Sequence, residues 1–265
     1  MTYSRRTAIA AIAATAAVLP TEQALADVTT ELVDYKGDTT FEGYLAYDKA
    51  STDKRPGVLV LHTQRGIQDF VRERTRELAK LGYVAFAADF YGKGIRPLED
   101  APAKVQSTAA KGDRARTRQR VRAGLDVLSA HPLVASGKLA VIGYCLGGLA
   151  ALELARSGAP VLATGVFHGT LTTPTPEDAR NIKGRVLVMH GADDPTAPLT
   201  EVEALIKEMK AARVDFALEL YGGVKHGFTE PHNGNDPTRS VAYNERAANQ
   251  SWKAMQAMFD DVFRT

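Results

Sequence analysis

Apolar positions along this chain fall into two rhythms. Short, nearly continuous runs occur at Val58–Leu61, Tyr83–Ala88, Leu139–Ile142, Val161–Phe167, Val186–Met189 and Phe216–Tyr221. Runs of this length, rich in β-branched and aromatic residues, predict strands. Between them, apolar residues recur at helical spacing over Asp69–Lys80, Arg114–Ser129, Leu146–Arg156 and Thr200–Ala211, with a last helix near Tyr243–Phe263. Upstream, Thr30–Asp34 and Phe41–Tyr47 flank the turn residues Lys36-Gly37-Asp38 and predict an antiparallel pair. Continuous apolar strands separated by helices imply an α/β fold, a mostly parallel central sheet with helices on both faces. In such sheets the working residues lie in loops at the carboxyl ends of the strands.

The first residues follow a different pattern. Arg5-Arg6 precede an apolar stretch from Thr7 to Leu19, and Ala24-Leu25-Ala26 follows. A basic start, a short apolar stretch and an Ala-x-Ala site predict a signal peptide over residues 1–26, cleaved after Ala26. Ser4-Arg5-Arg6 suggests the twin-arginine export route, although Thr7 and Ala8 stand where an apolar residue usually follows the pair. The expected address is therefore outside the cytoplasm, in the periplasm, with residues 27–265 forming one domain. No linker or repeat interrupts that segment. A net charge of +2 gives no reason to expect nucleic acid or an anionic membrane as partner. Past the leader, no apolar run is long and pure enough to insert into a bilayer. Nothing in the letters indicates an oligomeric state.

The chain has one cysteine, so no disulfide can form within it. That residue stands in Gly143-Tyr144-Cys145-Leu146-Gly147, between a predicted strand and a predicted helix. This is the strand-turn-helix pattern G-x-S-x-G with Cys in place of Ser. Small flanking residues let a strained turn expose the nucleophile. The helix N-terminus favours thiolate and offers the Leu146 N–H to an oxyanion. The next loop of interest, His190-Gly191-Ala192-Asp193-Asp194-Pro195, follows Val186–Met189 and carries an acid able to orient a histidine. Its two aspartates compete for that role on the residues alone. His226 follows the last strand, between Gly222-Gly223 and Gly227. Nucleophile, acid and base thus appear in the order that this kind of strand–helix fold uses.

The remaining histidines show no metal-ligand spacing, and neither metal nor cofactor is expected. Arginines at 114, 116, 118, 120 and 122 predict mainly a solvated helix face. Arg116 is the candidate to lie over the cleft and hold a substrate carboxylate.

From about Thr29 onward the chain resembles the dienelactone hydrolase family, whose Gly-Tyr-Cys-hydrophobic-Gly-Gly pattern is matched by Gly143 to Gly148. Leu81 to Ala85, Asp89 to Gly92, Ser240 to Asn244 and Ser251-Trp252 are family-like as well. The resemblance implies an α/β-hydrolase fold and a triad of Cys145, Asp194 and His226. It implies a second oxyanion donor from the backbone N–H of Gln64, in the loop after Val58–Leu61. Two positions depart from the family. Thr63 stands where members usually carry a glutamate that meets the resting cysteine. Glu230 stands where members acting on dienelactone carry an arginine for the substrate carboxylate.

These residues together predict a hydrolase that cleaves a small ester or lactone through a thioacyl intermediate, with Thr63 among the substrate-contacting residues. Loss of the family glutamate suggests that Cys145 and His226 rest as a thiolate–imidazolium pair. A rival from another class is a catalytically silent small-molecule binding protein on the same scaffold. A thiol redox protein is a third reading, weakened because no resolving cysteine exists.

Overall fold

The computed structural model describes residues 27–264, so the signal-peptide reading of residues 1–26 lies outside the described residues. Eight strands form one sheet in the order β1-β2-β4-β3-β5-β6-β7-β8. They are β1 (Val28–Lys36), β2 (Thr40–Asp48), β3 (Arg55–Leu61), β4 (Val84–Ala88), β5 (Val134–Tyr144), β6 (Ala163–Phe167), β7 (Arg185–Gly191) and β8 (Phe216–Tyr221). β1 pairs antiparallel with β2 and β2 with β4, and every pairing from β4 through β8 is parallel.

Alternation across the pleat explains why the central stretches of β3 to β7 are apolar at nearly every position. Val58 and Val60 of β3 and Ala85 and Ala87 of β4 face one layer, where α1 (Asp69–Lys80) contributes Val71 and Leu78. On the same layer α6 (Glu245–Phe263) contributes Met255, Met258 and Phe259. Leu59, Leu61, Phe86 and Val141 face the other layer. There they meet Val121, Leu125 and Leu128 of α3 (Arg114–Ser129) and Ala150, Ala151 and Leu154 of α4 (Leu146–Arg156). Toward the β8 edge, Val202, Leu205 and Met209 of α5 (Leu199–Ala212) pack on Val166, Val186 and Val188. A strand buried on both sides needs no polar face. Each fully buried large side chain of this kind contributes about 1.5–3 kcal/mol relative to exposure.

Several boundaries differ from the sequence expectation by a few residues, and three of them have a clear tertiary reason. β5 runs from Val134 to Tyr144 rather than over Leu139–Ile142, because its ends find partners: Val134 opposite Arg55, and Gly143 and Tyr144 opposite Val166 and Phe167. Tyr83 stands before β4 and packs edge-on against Phe259 of α6. α6 begins at Glu245, where the Asn244 side chain accepts a hydrogen bond from the Ala247 N–H. One helix was not anticipated at all: α2, Asp100–Gly112, which buries only Ala103 and Ser107 and so leaves no apolar stripe to read. It forms one wall of the site.

Candidate active site

The carboxyl ends of β3, β5, β7 and β8 converge on a cavity of about 460 Å³ that contains Cys145 and His226. Cys145 occupies the turn between β5 and α4 with φ 55° and ψ −115°, a strained conformation for a residue with a side chain. Crowding explains the glycines around it. A Cβ on Gly143 would collide with the Gly147 carbonyl, and one on Gly147 with the Leu61 carbonyl. A Cβ on Gly148 would stand 2.7 Å from the Gly169 Cα. The strained turn is held from behind by Phe167, whose carbonyl accepts the Cys145 N–H at 3.1 Å. Leu146 is the first residue of α4, so its N–H has no acceptor within the helix.

Three side chains that lie far apart in the chain form one line. His226 Nε2 is 3.1 Å from Cys145 Sγ, and His226 Nδ1 is 2.7 Å from Asp194 Oδ2. The other carboxylate oxygen of Asp194 accepts the N–H groups of Thr196 at 2.7 Å and Ala197 at 3.1 Å, fixing its orientation. Asp193, the competing acid, points elsewhere: half its side chain is exposed, with Lys225 at 4.0 Å. The histidine loop is pinned by the segment 241–244, where Ala242 donates to the His226 carbonyl and Asn244 to the Phe228 carbonyl. That gives Ser240 to Asn244 a structural purpose.

Electrostatics favour charge separation along the line. Burial alone would lower the pKa of His226. The electrostatic pull of the neighbouring Cys145 and the hydrogen bond to Asp194 outweigh it and raise the pKa to about 10. Burial would raise Asp194, but its bond to His226 and the two backbone N–H groups bring it below the usual carboxylate range. An imidazolium beside a sulfur nucleophile is a proton donor already in place.

His168 and His190 back this line. His168, with φ 41°, is fully buried, accepts or donates at 2.7 Å with Thr229 Oγ1, and sets its ring edge-on to His226 at 5.2 Å. Burial first, then the nearby His226 and His190, lower its pKa well below the ordinary value, so it stays neutral. His190 meets the Ala197 carbonyl at 2.7 Å, bracing the acid loop. His62 stacks on Phe90 at 3.8 Å and accepts the Phe90 N–H on Nε2, which leaves the proton on Nδ1, facing the Thr63 carbonyl at 2.7 Å. Among the described residues no group of His, Cys, Asp or Glu is arranged to hold a metal ion.

The cavity wall beyond the line includes Thr63, Gln64 and Leu146. Tyr91 fixes the Gln64 backbone by donating to its carbonyl at 3.1 Å, and the Thr63 hydroxyl accepts the Arg65 N–H at 3.3 Å. Arg116 lies away from its expected place over the cleft. It does not reach this cavity: its Nε binds Asp38 at 2.8 Å, its side chain is 55% exposed, and it lines a separate hollow of about 560 Å³. Asp38 captures both Arg116 and Arg120, and the helix turns that pair away from the nucleophile. In its stead the wall holds Ser107 and Lys111 of α2, together with Glu230, His232 and Arg239. Ser107 and Lys111 lie on a helix without an apolar stripe, so the sequence pattern does not single them out. Glu230 was visible only as a departure from the family.

Residues 41–263 match the dienelactone hydrolase family. A solved structure called m3DLH superposes with a TM-score of 0.86 at 41% identity, covering 89% of this chain and 99% of that one. A dienelactone hydrolase-like promiscuous phosphotriesterase, P91 from metagenomic libraries, gives 0.85 at 39% identity over the same shares of the two chains, 89% and 99%. A probable 2-oxo-3-(5-oxofuran-2-ylidene)propanoate lactonase of a Bradyrhizobium species is 26% identical over 225 residues, 81% of this chain and 88% of its own length. The architecture is the α/β-hydrolase fold, and the chain is a hydrolase of the dienelactone hydrolase family.

Proposed function

We propose that this protein hydrolyses a small carboxylic ester or lactone through a Cys145–His226–Asp194 triad and a thioacyl intermediate. The observation that carries the reading is the line in which His226 stands 3.1 Å from the sulfur and 2.7 Å from Asp194. Sγ of Cys145 attacks the carbonyl carbon, and the N–H groups of Leu146 and Gln64 receive the oxyanion. As the tetrahedral adduct collapses, the carbon–oxygen bond breaks and the proton on His226 Nε2 passes to the departing alkoxide. The neutral imidazole then takes a proton from water, whose oxygen attacks the thioester carbon. Thiolate is expelled, the acid departs, and the resting ion pair is restored. Asp194 holds the imidazole orientation throughout. A lactone opens by the same steps, its alkoxide remaining attached to the acyl group, and the lactonase relative favours such a substrate.

Thr63 leaves the sulfur no carboxylate at the family's glutamate position, so His226 is the partner of the resting nucleophile. The protein acts outside the cytoplasm in this reading, exported through residues 1–26 and cleaved after Ala26, which rests on the sequence pattern.

The test is hydrolysis of p-nitrophenyl acetate and γ-butyrolactone before and after iodoacetamide, with peptide mapping of the modified residue. Activity should fall in step with labelling at Cys145, and Cys145→Ala should lower kcat by roughly 10⁶. A Cys145→Ala protein that keeps most of its activity removes the nucleophile from the scheme. Labelling of Cys145 in a protein that never turned over any ester favours the binding-protein alternative.

A further inference from the structure

The wall of the active cavity is polar to an unusual degree. Ligand cavities are mostly lined by apolar and aromatic groups. Here Thr63, Gln64, Ser107, Thr170, Asn233 and Ser240 face the space, and the apolar side chains on the wall are Leu146 and Val241. Thr63, Ser107 and Asn233 already bond within the protein, and an alkyl or aryl substrate would strand the remaining polar groups without water or partner, at a cost for each.

Glu230 stands out within that wall. Its residue is 9% exposed, yet among the described residues its carboxylate accepts no hydrogen bond. Its ion-pair neighbour is His232 Nε2 at 3.5 Å. Burial and Arg65 lower the pKa of His232, so that neighbour is neutral near pH 7 and supplies no charge. Of the cations that act on it, His226 is engaged by Asp194, Arg65 by Asp100 and the Leu98 carbonyl, and Arg74 by Glu77 at 2.7 Å. A buried carboxyl left without donors, on the wall that also holds the nucleophile, is satisfied by whatever fills the cavity.

We infer that Glu230 is a specificity-determining residue that accepts a hydrogen bond from a hydroxyl of the substrate, and that the substrates of this site are small hydroxylated lactones or esters. The inference rests on the ester and lactone reading above and adds to it the class of molecule and the residue that recognises it. A hydroxylated ring offers donors to Glu230 and both donors and acceptors to the surrounding Thr, Ser, Asn and Gln groups. It also fits the volume of about 460 Å³. Above about pH 7, where Glu230 is ionised, a substrate carrying a carboxylate would place like charge against it.

Three five-membered rings separate the possibilities: γ-butyrolactone, its 2,3-dihydroxy derivative and its γ-carboxy derivative. Each is assayed with spontaneous hydrolysis subtracted. The wild-type protein should favour the dihydroxy ring over the unsubstituted one in kcat/KM by at least about tenfold. The carboxy ring should be the poorest of the three. Glu230→Leu should bring the dihydroxy to unsubstituted ratio near unity, and Glu230→Gln, which retains an acceptor oxygen, should keep part of it. A wild-type preference for the carboxy ring would overturn the inference and transfer recognition to Lys111. So would a ratio that Glu230→Leu leaves unchanged.

Calorimetric binding of the same rings to Cys145→Ala protein repeats the comparison without turnover. A dihydroxy preference in binding that disappears with Glu230→Leu, in a wild-type protein that cleaves no lactone, would defeat the hydrolase reading while upholding Glu230. Turnover of all rings with no preference in either measurement would do the reverse.

Discussion

The two walls of the cavity are built in opposite ways. On the inner wall, the turn at Cys145, the loop at Asp194 and the loop at His226 are packed until a single Cβ would not fit, as at Gly143 and Gly147. The line is braced there by hydrogen bonds, from the two N–H groups on Asp194 to the Cys145 N–H on Phe167. The outer wall consists of α2, with its two buried residues, and of the loop around His232 and Arg239, whose side chains are largely exposed. Glu230 lies where the walls meet, buried like the first and without a donor like the second. Geometry on the inner wall determines what reaction occurs. Chemistry on the outer wall determines which molecule undergoes it. The first is rigid because a strained φ at Cys145 needs surroundings that over-determine it; the second can change side chains without disturbing that turn.

The sharpest way to break this contrast is to alter the two adjacent acids of the inner wall. Asp194→Asn should lower kcat by about 10⁴, through the wrong imidazole tautomer, with little change in KM. Asp193→Asn, one residue away, should stay within about twofold, because that side chain is half-exposed and meets only Lys225 at 4.0 Å. Steady-state kinetics on one ester suffice. Equal losses in the two variants would mean that the loop, rather than the carboxylate at 194, is what the histidine needs.

A second measurement sharpens the account of the inner wall. In the proposed resting ion pair, the raised pKa of His226, about 10, keeps its proton in place across the neutral range. An ordinary thiol, with a reference pKa near 8.5, gains reactive thiolate steadily as pH rises. Iodoacetamide should therefore alkylate Cys145 in wild-type protein at a nearly level rate from pH 6 to 9. In His226→Ala the rate should climb over that interval, by roughly 200-fold if the thiol reverts to ordinary behaviour. A steep rise in the wild type as well would show that Cys145 and His226 rest uncharged.

The same division explains what could be read from the letters. The strands and most helices were legible because burial on both faces forces continuous apolar runs, and α1, α3 and α4 start and end where periodicity says. Gly143-Tyr144-Cys145-Leu146-Gly147 was legible because the turn tolerates few other residues. α2 was not, since two small buried residues in thirteen make no pattern. Arg116 was misplaced for a related reason: spacing puts it on a helix surface, but only the fold brings Asp38 beside it. An outer wall defined by what packs across from it leaves no local trace.

The smallest expected effect concerns stability at the boundary between the walls. Burial raises the pKa of Glu230 from 4.5 to about 7, against the opposing pull of His226, Arg65 and Arg74. The folded protein thus holds this proton more tightly than the unfolded chain does. The resulting stabilisation is full below about pH 4.5 and is lost as pH rises through 7. Above that point an ionised carboxylate is held in a largely buried position without a hydrogen-bond donor from the protein, which favours unfolding. Glu230→Gln removes the ionisation while retaining the shape, so its thermal midpoint should exceed that of the wild type by a few degrees at pH 8. The gap should close as pH falls toward 4.5, and calorimetric or circular-dichroism melts across that range would follow it. A wild type that stays the more stable protein at pH 8 would mean that Glu230 already has the donors it needs, and the site would then have no need of a hydroxylated guest.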